Sequence, residues 1–463
     1  MFTPSTYRDR RDALAQQMTD NGLLLIFGNE ESPMNYTDNT YPFRQDSNFL
    51  YFAGLEDTGH FLIMDLSTGK TTLYGNDLSL DHIVWMGNQP SMDEKTALIG
   101  ADQHAPYKTG LDVIRKAKEQ QQPVHYLPPY RAERVELLAD CLGQSLQATR
   151  EGFSAPLCHA VIKLRSHKTA EEAAEMDKAV DITRAMHLAA MRTVAEGQRE
   201  STVAGIVEGI AIGGGGRLAY PCIGTINGHI LHNHHHGNVV KDGHLYLLDA
   251  GASSISQYAG DITRTFPVAK IFTSQQKDIY AIVLKALDDC SAALRPGFAY
   301  KDAHLQAARI IVEGLKDLGL MKGDTEAAVA EGAHALFFPH GLGHMIGLDV
   351  HDMEDLNENW VGYDEDTQRS TQFGLKSLRL AKKLEAGFAL TVEPGIYFIP
   401  TLIERWEAEG KFKDFVNYGA LKPYFNFGGI RIEDNLLITE NGSRLLGKAI
   451  PKSIADIEAA RQL

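Results

Sequence analysis

Four acids of this chain stand at or near the ends of apolar strands, a placement with chemical consequences. Asp249 closes the run LYLLD, and Asp261 follows beyond a turn in GDITRTF. Two antiparallel strands can set these carboxylates side by side. Glu393 ends the apolar run of FALTVEPG, and Arg431 and Glu433 alternate in GGIRIEDN. Period-two spacing puts that Arg and Glu on one face of a strand. The segment FFPHGLGHMIGLDVHD supplies His340, His344 and His351, and HILHNHHHGN places His232 near the start of a loop.

Singly, each residue has an ordinary structural explanation. Together they do not, because ionised carboxylates among apolar strands are expensive without a compensating cation. Carboxylates converging without one repel each other and take up protons. Two divalent ions resolve the conflict: Asp249, Asp261, Glu393 and Glu433 bring four negative charges, and His344 adds a neutral nitrogen. Oxygen-rich ligation with one imidazole and no thiolate favours Mn²⁺, with Co²⁺ or Zn²⁺ as alternatives. A pair of such ions can bridge and activate a water.

These groups need strands to carry them and helices to cover the strands. His244–Asp249, Ser254–Tyr258, Phe388–Val392 and Ile430–Ile438 read as strands. Gln275–Leu294 and Ala303–Leu318 read as long helices between them. That interleaving predicts an α+β layer. The stretch LRSHKTAEEAAEMDKAVDITRAMHLAAMRTV reads as a helix begun by a Ser or Thr cap with acids in its first turn. The first third alternates helices (Arg8–Thr19, Leu111–Gln121, Ala132–Leu142) with short strands (Leu23–Phe27, Phe49–Phe52, Phe61–Met64), as an α/β domain with a mixed sheet does. Gly152 and Pro156 mark Glu151–Leu157 as the linker, giving domains over 1–155 and 156–463. The run Gly213–Gly216 lacks a following Gly-Lys-Ser/Thr and is a turn, not a phosphate loop. Asn357–Phe373 reads as a polar, acidic surface loop.

The charge balance excludes several classes of function. The 463 residues carry 45 Lys and Arg against 60 Asp and Glu, a net charge of −15. That sign opposes nucleic-acid and anionic-membrane binding. No stretch approaches the ~18 apolar residues of a membrane span. The four cysteines are scattered and form no CxxC pair, as free thiols in a reducing compartment do. The polar N-terminus does not read as a signal peptide, so a cytoplasmic protein is expected.

The segments DAGASSISQYAGDITRTF, HGLGHMIGLDVHD, TVEPGIYF and GGIRIEDNLLIT resemble the pita-bread metallopeptidases, in particular their Xaa-Pro branch. YPFRQDSNFLYFAG resembles the N-terminal domain of aminopeptidase P and prolidase. The resemblance covers nearly the whole chain. It implies a C-terminal pita-bread domain behind an α/β N-terminal domain, and hydrolysis of the bond between an N-terminal residue and proline. It implies Asp249, Asp261, His344, Glu393 and Glu433 as metal ligands, with Asp261 and Glu433 bridging. It further implies His340 acting beside the metals and on the intermediate, Glu393 or Glu433 as proton carrier, and His351 and His232 on the substrate and its oxyanion. Arg431 would orient the site, and Tyr220 would line the pocket. The Asp249–Asp261 stretch is slightly longer than the family pattern, and Ser253–Gln257 is expected to absorb the difference as a bulge or longer turn.

GLKSLRLAKKLEAGFALTVEPG resembles the prolidase version of its region, and Arg379 falls on the arginine that binds the substrate carboxylate there. The long insertion between Glu393 and Glu433 is also prolidase-like. The expected activity is therefore an Xaa-Pro dipeptidase, with an Xaa-Pro aminopeptidase acting on longer peptides as the alternative and a non-catalytic pita-bread module as a distant third. The expected partners are Xaa-Pro dipeptides or short Xaa-Pro peptides and a second copy of the chain in a homodimer.

Overall fold

The structure, a computed structural model, describes residues 2–462. The chain forms two compact units. One runs to Arg165 and includes Asp355–Asn357; the other comprises the remainder from Ser166. The expected boundary at 155/156 coincides with the start of a helix, Ala155–Ser166, and the division lies at the far end of that helix. Glu151–Leu157 is accordingly no open linker: Leu146–Glu151 is helical as well.

The first unit is built on a five-stranded sheet. Leu23–Phe27 pairs antiparallel with Phe61–Asp65 and parallel with Val124–Tyr126, while Lys70–Gly75 and Gln103–Pro106 extend the other edge. Leu25, Phe61, Ile63 and Tyr74 meet Ile114 and Leu138 from the covering helices in one core. Phe49–Phe52 is not a strand. Asp46 accepts hydrogen bonds from the Asn48 and Phe49 amides and starts a helix, Ser47–Ala53, which Gly54 ends with a left-handed turn at φ +69°.

The second unit carries the acids. Its longest helix, Ala170–Thr193, begins with a capping box in which Thr169 and Glu172 satisfy each other's backbone amides. The helices Ser274–Ala293 and Tyr300–Asp317 pack as a pair, and the first also lies against the strands Ala389–Val392, Gly395–Tyr397 and Gly429–Arg431. Leu245–Asp249 is the central strand between Ile223–Thr225 and Thr263–Pro267, both antiparallel to it. Ala389–Val392 pairs with Asp434–Ile438, and Gly395–Tyr397 with Gly429–Arg431. All five residues of Leu245–Asp249 and of Thr263–Pro267 are buried, as strands covered on both faces require.

Two expected strands differ. Ser254–Tyr258 is a turn, closed by the Ser254 amide donating to the Tyr258 carbonyl at 2.8 Å, with Gln257 at φ +68°. This turn lies between Asp249 and Asp261, over the stretch where a bulge or longer turn was expected. Ile430–Ile438 is two strands broken at Ile432–Glu433. There the Ile432 amide reaches the Pro394 carbonyl and the Glu433 amide reaches the Thr263 carbonyl at 3.0 Å. Among the described residues, no helix is long and apolar enough to cross a membrane.

Candidate metal centre

Asp249 and Asp261 enter the site from the ends of paired strands. Asp249 lies opposite Thr263 in the ladder, and the Ala250 amide bonds the Ile262 carbonyl at 3.1 Å, so the register survives the turn. Gly251 makes this possible: a Cβ there would sit 1.8 Å from the Gly260 carbonyl oxygen. The Tyr220 hydroxyl lies 2.6 Å from Asp249 Oδ1 and 2.5 Å from Asp261 Oδ1, which brings the two carboxylates together. Asn435 fixes Asp261 from behind, accepting from its amide at 2.8 Å and donating to its carbonyl.

His344 turns its Nε2 towards Asp261 Oδ2 at 3.3 Å and Glu393 Oε1 at 3.7 Å. Its Nδ1 faces the Met345 carbonyl at 3.0 Å. A carbonyl only accepts, so Nδ1 carries a proton there, and Nε2 is the nitrogen that faces the acids and would be free for a metal once its own proton is displaced. Asp261, His344 and Glu433 offer ligand atoms within 4.8 Å of one another, and all three side chains are buried. Glu433 receives a hydrogen bond on Oε2 from Thr263 at 2.7 Å, while its other oxygen, also buried, has no partner among the described residues.

The electrostatics point the same way. Burial, with Asp261 and Glu393 beside it, drives the Glu433 carboxyl well above the usual range. Burial raises Glu393 to about 7 even though His344 and Arg431 oppose the shift. Burial disfavours charge on His344, yet Asp261 and Glu393 carry it up to about 9. These three groups are all displaced in the direction that imports positive charge. The donor set and the orphaned Glu433 oxygen thus fit divalent cations, which would replace those protons.

A second set of groups holds the acids. Arg431 donates to Asp249 Oδ2 at 2.5 Å, to Thr263 Oγ1 at 3.1 Å and to the Tyr397 hydroxyl at 2.8 Å. Tyr397 lies 2.9 Å from His340 Nε2, and His340 Nδ1 donates to the Gly341 carbonyl at 2.8 Å. The Tyr397 hydroxyl therefore donates to His340, whose neutral form burial enforces by lowering its pKa to about 3.

Asp249, Asp261, His340, His344, Glu393, Arg431 and Glu433 line a cavity of about 540 Å³ that also includes Tyr220, His232, His351 and Arg379. Each residue singled out from the sequence lies in this one cavity. The His351 ring packs 4.2 Å from that of His344, and burial, with His344 and Arg379 nearby, lowers its pKa to about 2. Arg379 is ion-paired with Glu354 and with Glu358. Sequence reasoning did not anticipate Thr263, Tyr397, Asn435 or Glu354. A polar Asn within the apolar run DNLLI, and a Thr two residues after Asp261, were the available signals.

Comparison with known proteins matches residues 174–440 to the model of metallopeptidase family M24 and residues 7–125 to that of the aminopeptidase P N-terminal domain. The chain belongs to metallopeptidase family M24. As an M24 metallopeptidase it is a hydrolase, and the family's dependence on divalent ions agrees with the donor set. It is 32% identical to the Xaa-Pro dipeptidase of Rattus norvegicus over 97% of this chain and 92% of that one. It is 33% identical to the Xaa-Pro aminopeptidase of Escherichia coli K12 over 98% and 96%. A structure of zinc-substituted E. coli aminopeptidase P in complex with product superposes with a TM-score of 0.81 at 32% identity, over 100% of this chain and 98% of that one. The α+β fold with its two-domain plan is thus shared across the full length.

Proposed function

We propose that this M24 metallopeptidase hydrolyses the peptide bond between an N-terminal residue and proline, with Xaa-Pro dipeptides as its preferred substrates. The convergence of four carboxylates and one imidazole in a cavity large enough for a short peptide carries the reading. The relatives named for Xaa-Pro bonds supply the substrate class. In this reading residues 1–155 form the N-terminal domain and 156–463 the catalytic one. The enzyme works in the cytoplasm as a homodimer.

Asp249, Asp261, His344, Glu393 and Glu433 would hold two divalent ions, manganese first among them. When bound, such ions polarise the scissile carbonyl and lower the pKa of a coordinated water. His351 and His232 sit on the cavity wall as neutral imidazoles, each with an N–H to offer the carbonyl oxygen as charge develops there. Glu393 or Glu433 would accept a proton from the attacking water on a carboxyl oxygen and pass it to the departing proline nitrogen. His340, neutral and tautomerically fixed through Tyr397, keeps Arg431 directed at Asp249 and Thr263. The proline nitrogen of the substrate bears no hydrogen, so selectivity rests on ring shape and on the chain ends. Arg379 receives the free carboxylate of a dipeptide through its planar fork.

One observation favours Xaa-Pro aminopeptidase as a second reading: Arg379 already holds two carboxylates, Glu354 and Glu358. Incubating the Mn²⁺-loaded protein with Ala-Pro and with an Xaa-Pro-Pro-Xaa peptide separates the two. Cleavage of the dipeptide alone supports the first reading. Efficient release of the first residue from the longer peptide replaces it with the second, and cleavage of neither ends both.

A further inference from the structure

The acidic segment that follows His351, reading DMEDLNENW, has no part in the metal centre. It nevertheless supplies both partners of Arg379. The Arg379 Nη1 donates to Glu354 and, at 2.9 Å, to Glu358 Oε2. Glu358 is paired in turn with Arg369, which is anchored by bonds to Asn359 Oδ1 at 2.8 Å and to the Lys376 carbonyl at 3.0 Å. At the other end Glu354 Oε2 lies 3.5 Å from His351 Nδ1. The result is a row of alternating charges, Arg369, Glu358, Arg379 and Glu354, that ends beside the cavity.

Resting on the Xaa-Pro reading above, we propose that Glu354 and Glu358 set the chain-length preference of this site by competing with the substrate carboxylate for Arg379. An arginine that faces a substrate with its full charge selects strongly for a terminal carboxylate. Here two fixed negative charges stand against that one positive charge before substrate arrives. A dipeptide must bring a third carboxylate into the same group. A substrate whose proline continues into an amide brings none and is not penalised. The row thereby weakens discrimination by charge and widens the range of accepted lengths. Arg369 limits the effect by drawing on Glu358 from behind.

The test compares Ala-Pro with Ala-Pro-amide, which differ only in that terminal charge, on the Mn²⁺-loaded enzyme. For a partly exposed pair a single like charge a few ångströms away is worth about a fivefold change in binding. Glu358→Gln is expected to lower KM for Ala-Pro relative to Ala-Pro-amide by about that factor, and Glu354→Gln to shift the ratio the same way. Arg369→Gln, which frees Glu358 to act on Arg379, is expected to shift it in the opposite direction. A purely structural role would move both substrates together and would not reverse sign. Ratios unmoved in all three variants, or moved upward by Glu358→Gln, overturn the inference while leaving the Xaa-Pro reading intact. Wild-type enzyme inert towards both substrates overturns that reading and this inference with it.

Discussion

Arg264 offers the sharpest test of how the fold holds the metal ligands in place. It is fully buried on the strand Thr263–Pro267, and all five of its N–H groups are used. Nε donates to the Pro451 carbonyl at 2.9 Å. Nη1 donates to the carbonyls of Thr263 and Glu433 at 3.0 and 2.6 Å, and Nη2 to Asp434 Oδ1 and the Ile450 carbonyl at 2.7 and 3.2 Å. One guanidinium thus ties the strand that follows Asp261 to the kink that carries Glu433. Arg264→Lys keeps the charge but offers only three donors from a single nitrogen. At least two charge-assisted bonds to buried carbonyls disappear, each worth roughly 1.5–3 kcal/mol. The expected loss is about 4 kcal/mol, which for a unit of this size lowers the thermal midpoint by about 8 °C. The measurement is calorimetry in EDTA, so that metal binding does not contribute, followed by Mn²⁺ titration of the folded variant. Displacement of the Glu433 carbonyl should weaken Mn²⁺ binding at least tenfold, the usual scale for residues that orient ligands. A midpoint within 2 °C of wild type, equivalent to roughly 0.5–1 kcal/mol, together with unchanged Mn²⁺ affinity would refute the reasoning.

Three further outcomes are expected. Lys168 and Asp352 form a salt bridge at 2.9 Å with both side chains buried, at the base of the loop that carries His351. Lys168→Met should cost about 3–5 kcal/mol, and Lys168→Met with Asp352→Leu should recover part of it; a double variant no more stable than the single one, by urea unfolding, contradicts this. Glu433→Gln removes a buried carboxyl that must take up a proton to stay in the metal-free site, so it should raise the thermal midpoint in EDTA at neutral pH yet abolish the further rise that Mn²⁺ gives wild type; a lower midpoint in EDTA speaks against the burial argument. Burial holds His187, His304 and His334 neutral, with pKa values lowered to about 4, 3 and 4. The unfolded chain titrates these groups near 6.5 and so binds more protons below that pH. Stability should therefore fall as the pH drops from about 6.5 towards 4, by about 2 kcal/mol per histidine at pH 5. His304→Phe should lose correspondingly less between pH 7 and pH 5 in urea unfolding, and an equal loss would show that His304 protonates without cost.

The sequence announced the acids of this site better than the strands that carry them. Asp249, Glu393 and Glu433 stood out because charge among apolar residues needs a physical reason, and that remains true whatever the local backbone does. The backbone itself was harder to read. FLYF at Phe49–Phe52 has the apolar density of a strand, but the Asp46 cap before it and the left-handed Gly54 after it mark a helix. The groups that orient the site were less visible still. Thr263 and Asn435 act through single oxygens and amides whose partners lie far off in the chain, and Tyr397 is one aromatic among many.

Ile430–Ile438 shows why the two levels diverge. Alternation correctly predicted that Arg431 and Glu433 share a face, since both reach the same cavity. An unbroken strand, however, would continue along one neighbour. The break at Ile432–Glu433 moves the backbone from Pro394 to Thr263, the residue whose hydroxyl also bonds the Glu433 carboxylate. The backbone and the side chain of this acid are therefore secured by the same residue. Thr263→Val removes the hydroxyl, which also accepts from Arg431 Nε, and keeps the ladder, so it should weaken Mn²⁺ binding by roughly tenfold while lowering the thermal midpoint in EDTA by only a few degrees. Equal effects on both would mean that Thr263 serves the strand rather than the acid.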